Sequence, residues 1–344
     1  MRSSKIKISF TMLLASCSWA CSQQKFDLTP ATKDFAQSVK YNRQADVLFV
    51  LEASGTMDNQ QRYQAMSLQA NDLIQVLNGA KLDYHIAVTT MTPRFQDPQT
   101  QSQVGDGGRF IAHGDKYPLV LDSTISDLGS ILANRLFLNS SDFISPINFG
   151  RQAVMNALSD PLLSKQNANF LRPDALLNII FISSKEDDIN NQANLDLVKF
   201  LDQLKPPLAK TGQRSWLAHY VGVLSNATTD QCASAQWGYR SAGTKFMDVV
   251  TASGGSASTI CSADLTLAVR NVRARILEVI TQYHLDQKPN VASVKVYEAS
   301  VLIAQDATNG WTYDDTIQSL VFHGSAIPAD GTPFHVDYTP ASIK

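Results

Sequence analysis

Apolar positions along this chain follow two periods, and the change between them divides it. From about residue 44 to residue 286, short unbroken apolar runs alternate with stretches of helical period. The runs at 47–51, 84–90, 176–183 and 216–224 lack polar alternation, which is the pattern of strands buried on both faces. The run at 176–183, LLNIIFIS, is the most continuous and reads as central. Helical period is predicted for 60–77, with Met66, Leu73, Ile74 and Leu77 on one face and Gly79 as the stop. It is also predicted for 126–137 with Ser126 as N-cap, and for 149–158 ahead of Pro161. Further helices are predicted for 194–204 ahead of Pro206 and Pro207, for 245–252 and for 265–283. Between them, 93–108 reads as a polar loop whose glycines form a turn, and 110–121 as short strands of a hairpin. This alternation predicts an α/β fold, a doubly wound, mostly parallel sheet with helices on both faces.

Beyond residue 286 the period becomes two. Val294, Val296, Val301 and Ile303 recur in short runs, 317–322 is strand-like, and Phe334, Val336 and Tyr338 alternate with His335, Asp337 and Thr339. Turn signals stand at Thr308-Asn309-Gly310 and Pro328-Ala329-Asp330-Gly331. The expectation is a small C-terminal antiparallel β-module, sheet or sandwich, over 287–344, packed on the larger domain of 44–286, with Trp311 and Tyr313 in its core, the alternative being that they line a binding surface.

The N-terminus carries a different signal. Arg2, Lys5 and Lys7 precede the apolar residues 8–15, in the order of a secretory signal peptide. Leu14-Ala15-Ser16-Cys17 resembles the bacterial lipobox, which implies that residues 1–16 are removed and that Cys17 is lipidated. By resemblance to Gram-negative lipoproteins, Ser18 in place of Asp after Cys17 implies the outer membrane. An ordinary signal peptide cut near Ala20 is the alternative. Residues 17–43 then form a polar tether whose end could add an edge strand. In an oxidising compartment Cys232 and Cys261 are expected to form a disulfide, the alternative being two buried thiols.

Composition narrows the function classes. A net charge of −2 leaves no electrostatic footprint for nucleic acid. With 44% hydrophobic residues the chain can bury a sizeable core, yet no stretch is long and apolar enough for a transmembrane helix. No Gly-x-Ser-x-Gly elbow or other nucleophile motif is present, and the expectation is a protein without enzymatic activity.

The candidate chemistry lies where the first strand ends. Glu52, Ser54 and Thr56 follow it at a spacing of two, and hard oxygen ligands at the carboxyl end of a parallel strand suit Mg²⁺ or another divalent cation. The stretch ADVLFVLEASGTM resembles the first loop of the von Willebrand factor A domain, whose metal-ion-dependent adhesion site reads Asp-x-Ser-x-Ser. That resemblance covers about residues 44–286. It implies a binding module in which an acidic side chain of a protein or cell-surface partner completes the coordination of the ion. It also implies Ser145 as a ligand of the second loop and an acid after the central strand. Here Glu52 replaces the first Asp, which sets the carboxylate about 1.5 Å further out. Ser184 stands where the later Asp belongs, with Glu186, Asp187 and Asp188 following, so Asp187 becomes the candidate. The run Asn169-Phe170-Leu171-Arg172-Pro173-Asp174 resembles a lead-in found in bacterial exported proteins of this type. The ligand set expected is therefore Glu52, Ser54, Thr56, Ser145 and Asp187, in an adhesion module anchored through an N-terminal lipid. The alternative is a structural scaffold of the cell envelope with a vestigial metal site.

Overall fold

The computed structural model describes residues 39–40, 43–59, 61–96, 103–139, 142, 147–189, 196–207, 214–227, 232, 241–262, 264–328 and 332–341. Its central sheet consists of β1 (Gln44–Leu51), β2 (Asp83–Thr90), β3 (Leu121–Asp122), β4 (Leu176–Ser183), β5 (Trp216–Gly222) and β6 (Ala257–Thr259), in the spatial order 3-2-1-4-5-6. All neighbours are parallel except β2 and β3, where His85 and Ile86 face Asp122 and Leu121 in antiparallel register. This is a doubly wound α/β sheet, and the order reverses between β1 and β4.

The unbroken apolar runs arise because each strand feeds two cores. Ala45, Val47, Phe49 and Leu51 of β1 join Ile180 and Ile182 of β4 in one cluster, closed by α2 (Arg62–Ser67), α3 (Ala70–Gly79), α4 (Leu128–Leu136) and α8 (Thr266–Ile280). Leu48 and Val50 join Ile179 and Phe181 in the other, under α5 (Gly150–Ala157), α6 (Leu197–Leu204) and α7 (Thr244–Ser253). Side chains alternate across a strand, so an apolar run with both faces covered is the natural reading of this burial.

Several local expectations are corrected. The helix predicted over 60–77 is two pieces, α2 and α3, with a further short helix α1 (Gly55–Asn59) before them, because Gln61 adopts a left-handed φ of 54° and the chain turns again at Leu68. The buried face survives the breaks: Tyr63, Met66, Leu73, Ile74 and Leu77 all reach the core. The helix after residue 126 begins at Leu128, with Asp127 rather than Ser126 at its N-cap position. The expected hairpin within 110–121 reduces to β3, while a two-residue pairing of Phe95–Gln96 with Gln103–Val104 lies inside the predicted loop. The turn reading of the glycines holds, with Gly105, Gly107 and Gly108 all at positive φ. Gly108 is required by contact as well, since a Cβ there would lie 2.6 Å from the Ala153 carbonyl oxygen.

The C-terminal module is two small antiparallel sheets around one core that includes Tyr283, Val296, Trp311, Leu320, Phe334 and Val336. Trp311 is buried, its indole N–H donating to the Ile303 carbonyl. The module takes in more chain than the period-two region. Gln282–His284, directly after α8, pairs with Ser319–Phe322, and Val39–Lys40 pairs with Phe334 and Pro333. The larger body and the module are thus joined at both ends of the chain between them. Cys232 and Cys261 are disulfide-bonded, with Cα atoms 5.1 Å apart.

Candidate functional site

The reversal of strand order sends the loops after β1 and β4 to opposite faces, which leaves a crevice at their carboxyl ends. Glu52 leaves β1 there, its amide donating to the Ile182 carbonyl at 2.9 Å, and Ser183 and Ser184 leave β4 beside it. Glu52 is only 2% exposed, so its carboxylate needs partners. Oε1 accepts from Ser54 Oγ at 2.6 Å. Oε2 accepts from Ser183 Oγ at 2.9 Å and from the Ser184 amide at 2.5 Å. Ser184 Oγ lies 2.9 Å from Oε2 and 3.1 Å from Oε1. The peptide of the same residue is held too: the buried Tyr63 hydroxyl donates to the Glu52 carbonyl at 2.5 Å and accepts from the Ser54 amide at 3.0 Å. Burial pushes the Tyr63 hydroxyl well above the usual phenol range, so it stays a protonated donor.

The third loop is tied to the other two by Asn148, just before α5. Its Nδ2 donates to Ser183 Oγ at 2.8 Å, and its amide donates to Asp188 Oδ2 at 2.7 Å. Lys185 Nζ donates to the same oxygen of Asp188 at 2.6 Å. At the adjoining strand end, the Thr90 hydroxyl donates to Asp106, whose carboxyl is pushed up by burial.

The structure brings Glu52 and Ser54 together and adds Ser183, Ser184, Tyr63 and Asn148. It does not bring Asp187 to them. The Asp187 carboxylate accepts from the Arg151 amide at 3.0 Å, from Arg151 Nε at 3.3 Å and from the Ile189 amide at 2.9 Å. Glu186 accepts from the Thr244 hydroxyl and the Lys245 amide, at the start of α7. Anionic side chains are stabilising at helix N-termini, where backbone amides lack partners, and this explains why the displaced acids turn toward α5 and α7. Thr56 lies in α1, half-buried, and Ser145 falls outside the described residues.

These donors do not fit a divalent ion. An ionised carboxylate offers about four lone-pair sites. Here four protons fill them, from the hydroxyls of Ser54, Ser183 and Ser184 and from the Ser184 amide. Ser183 could instead donate to the Lys185 carbonyl at 2.8 Å, but a charged acceptor is the stronger partner. The second negative charge that a hard cation would use is a serine, and among the described residues no group of three or more His, Cys, Asp or Glu could hold a metal.

The opposite end of the sheet explains the Asn169–Asp174 motif without invoking the site. Arg172 donates from its amide to Asp46 Oδ2 at 2.7 Å and from Nε to Oδ1 at 2.8 Å, and pairs with Asp83 at 2.8 Å. Asn169 takes a φ of 67° and Phe170 is fully buried, so the motif is a turn that seats Arg172 under β1 and β2.

No family model matches the chain, and no curated protein matches it either. Among solved structures, it is similar to a von Willebrand factor type A protein from Catenulispora acidiphila, at 13% identity and a TM-score of 0.38, over 88% of this chain and 59% of that one. It is also similar to proximal thread matrix protein 1 from the mussel byssus, solved with a zinc-occupied MIDAS motif, at 11% identity and a TM-score of 0.38, over 73% of this chain and 51% of that one. The chain therefore spans between about half and three-fifths of these proteins' lengths. At such identity only fold is at issue. The fold class rests on the order and register of the sheet itself.

Proposed function

We propose that this protein is a non-catalytic binding module of the cell envelope, docking a protein or other cell-surface ligand on the carboxyl edge of its sheet. The observation that carries the proposal is the joining of three loops at the strand-order reversal into one platform. Glu52 bonds the loop after β1 to the loop after β4, and Asn148 bonds the latter to the start of α5. A pre-formed surface loses little entropy on binding. On it stand the exposed Gly55 and Ile147.

Catalysis has less support. The site serines donate to a carboxylate rather than to an imidazole or an amine. The histidines have other environments: His85 on the Phe170 carbonyl, His113 on Asp142, His219 on Ser256, His284 on the Ile317 carbonyl, His323 on Thr312 and His335 stacked on Tyr297. We further propose export and anchoring in the outer membrane through a lipid on Cys17, supported by the lipobox-like Leu14-Ala15-Ser16-Cys17. An envelope scaffold that presents no ligand surface is the second reading, favoured by the saturation of Glu52.

Gly55→Arg tests docking with little risk to folding, because nothing lies within 4 Å of a Cβ built there. Capture of envelope proteins by the immobilised wild type should be lost in Gly55→Arg. Equal capture by both would place docking elsewhere and favour the scaffold. Mass spectrometry of the N-terminal peptide should find a lipidated Cys17; an unmodified residue there would end the anchoring proposal.

A further inference from the structure

We infer that the Glu52 carboxylate takes the place of a cation at the strand-order reversal, so that the edge of the sheet is closed by a buried anion and its serine donors and needs no metal. The inference concerns the site itself and holds whether or not a partner docks there.

Two departures from the adhesion-site pattern become one construction when their geometry is combined. With Asp at position 52 the side chain is one methylene shorter. As Glu52 it reaches across to β4, where both carboxylate oxygens meet Ser184. With Asp at position 184, two carboxylates would face each other at the distances now spanned by hydrogen bonds, and like charges so close need a cation or a shared proton between them. With Ser184 the same position supplies an O–H and an N–H donor. The pair is therefore complementary: the longer acid needs the hydroxyl, and the hydroxyl needs the longer acid. Ser54 and Ser183 complete the shell from either side, and Asn148 Nδ2 orients Ser183 by donating to its oxygen. An ion would join the loops after β1 and β4 by bonding oxygens from each, and the Glu52 network makes the same join with protons.

Asp187 is turned away from Glu52 as well. Asp187 is fully buried against Arg151, and Lys245 Nζ donates to the carbonyls of Asp187 and Ile189 at 2.6 and 2.9 Å. Turning Asp187 toward Glu52 would break its pair with Arg151 and its bonds to the Arg151 and Ile189 amides.

The test uses MnCl₂ and MgCl₂ on the full chain by calorimetry and thermal melting, with EDTA as control, on wild type, Glu52→Gln and the double variant Glu52→Asp/Ser184→Asp. The wild type should give no cation heat at this site and a Tm indifferent to EDTA. Glu52→Gln should melt lower, with the deficit the same in Mn²⁺ and in EDTA. The double variant should gain Mn²⁺ affinity by roughly tenfold or more over wild type, because affinity follows the charge count of the ligands. Its Tm should rise with Mn²⁺ and fall back with EDTA. Wild-type Mn²⁺ binding that Glu52→Gln removes would overturn the inference. So would a folded double variant without any gain. If the double variant does not fold, the wild-type and Glu52→Gln arms decide alone.

Discussion

Replacing Arg172 by Met removes the partner of a fully buried charge at the amino edge of the sheet. Asp46 has no exposed surface, and Arg172 bonds both its oxygens through the amide and Nε. Met retains the aliphatic stem and the amide bond but leaves Asp46 without its guanidinium. Breaking such a pair costs about 3–5 kcal/mol, since the surviving charge is buried without compensation. With about 2 cal/mol/K of unfolding entropy per residue over about 300 residues, that is a fall of roughly 5–8 °C in Tm. The pH dependence has a definite sign. Burial, outweighing Arg172, already raises the Asp46 pKa above its ordinary 3.8. The native state therefore holds this proton more tightly than the unfolded one, and the contribution to stability is lost as pH rises through the folded pKa. Without the guanidinium that pKa climbs further, so the deficit of Arg172→Met is largest near neutrality and shrinks in acid. Thermal melts of wild type, Arg172→Met, Asp46→Asn and the double variant, at neutral pH and at about pH 4, test this. Asp46→Asn should recover much of the loss in the Arg172→Met background. A loss below about 1 kcal/mol, or no recovery from Asp46→Asn, would mean that Asp46 is not held as a buried charge by Arg172.

Three further perturbations follow from the same contacts. His219 is fully buried, and burial pulls its pKa from 6.5 to about 3. The unfolded chain then binds the extra proton between those values, so stability should fall with pH below about 6.5, by about 1.4 kcal/mol per unit. His219→Gln should flatten that limb of a Tm-against-pH curve, and an unchanged slope would assign it to other groups. Gly108→Ala must fit a Cβ at 2.6 Å from the Ala153 carbonyl oxygen and 2.7 Å from the Ala157 nitrogen, at a φ of +94°. Denaturant melts should show a loss of about 1–3 kcal/mol or more; wild-type stability would mean that α5 moves freely. Tyr63→Phe strands the Ser54 amide and the Glu52 carbonyl and should lower stability by about 1–3 kcal/mol, read the same way. No loss would show that water takes over both groups.

The fold was legible because its signal is carried by many residues at once. Runs such as 47–51 and 176–183 must be apolar on both faces when two layers of helices cover the sheet, and no local accident imitates that. The breaks in the first helical stretch were not legible, because Gln61 in the left-handed region is a choice of backbone that its side chain does not announce. Nor was the pairing of Val39–Lys40 with the C-terminal strand, which joins residues almost three hundred positions apart. At the site, spacing singled out Glu52 and Ser54 because a charge ending an apolar strand is conspicuous. Ser183 and Ser184 closed the same network, but Ser183 was assigned no role and Ser184 was read only as a missing acid, since a hydroxyl carries no pattern of its own. A Glu in place of Asp together with a Ser in place of Asp was the signal available, and its meaning lies in the two being neighbours across β1 and β4. Asp187 was misjudged for a related reason. A run of acids does not say which carboxylate turns inward, and here the amides opening α5 and the guanidinium of Arg151 decide it.

Glu52 is bonded by protons where an ion would sit. The decisive measurement is anomalous diffraction from crystals soaked in MnCl₂. No manganese peak is expected between Glu52, Ser54 and Ser184 in the wild type, and a peak is expected there in Glu52→Asp/Ser184→Asp. A wild-type peak bonded to Glu52 and Ser54 would contradict it.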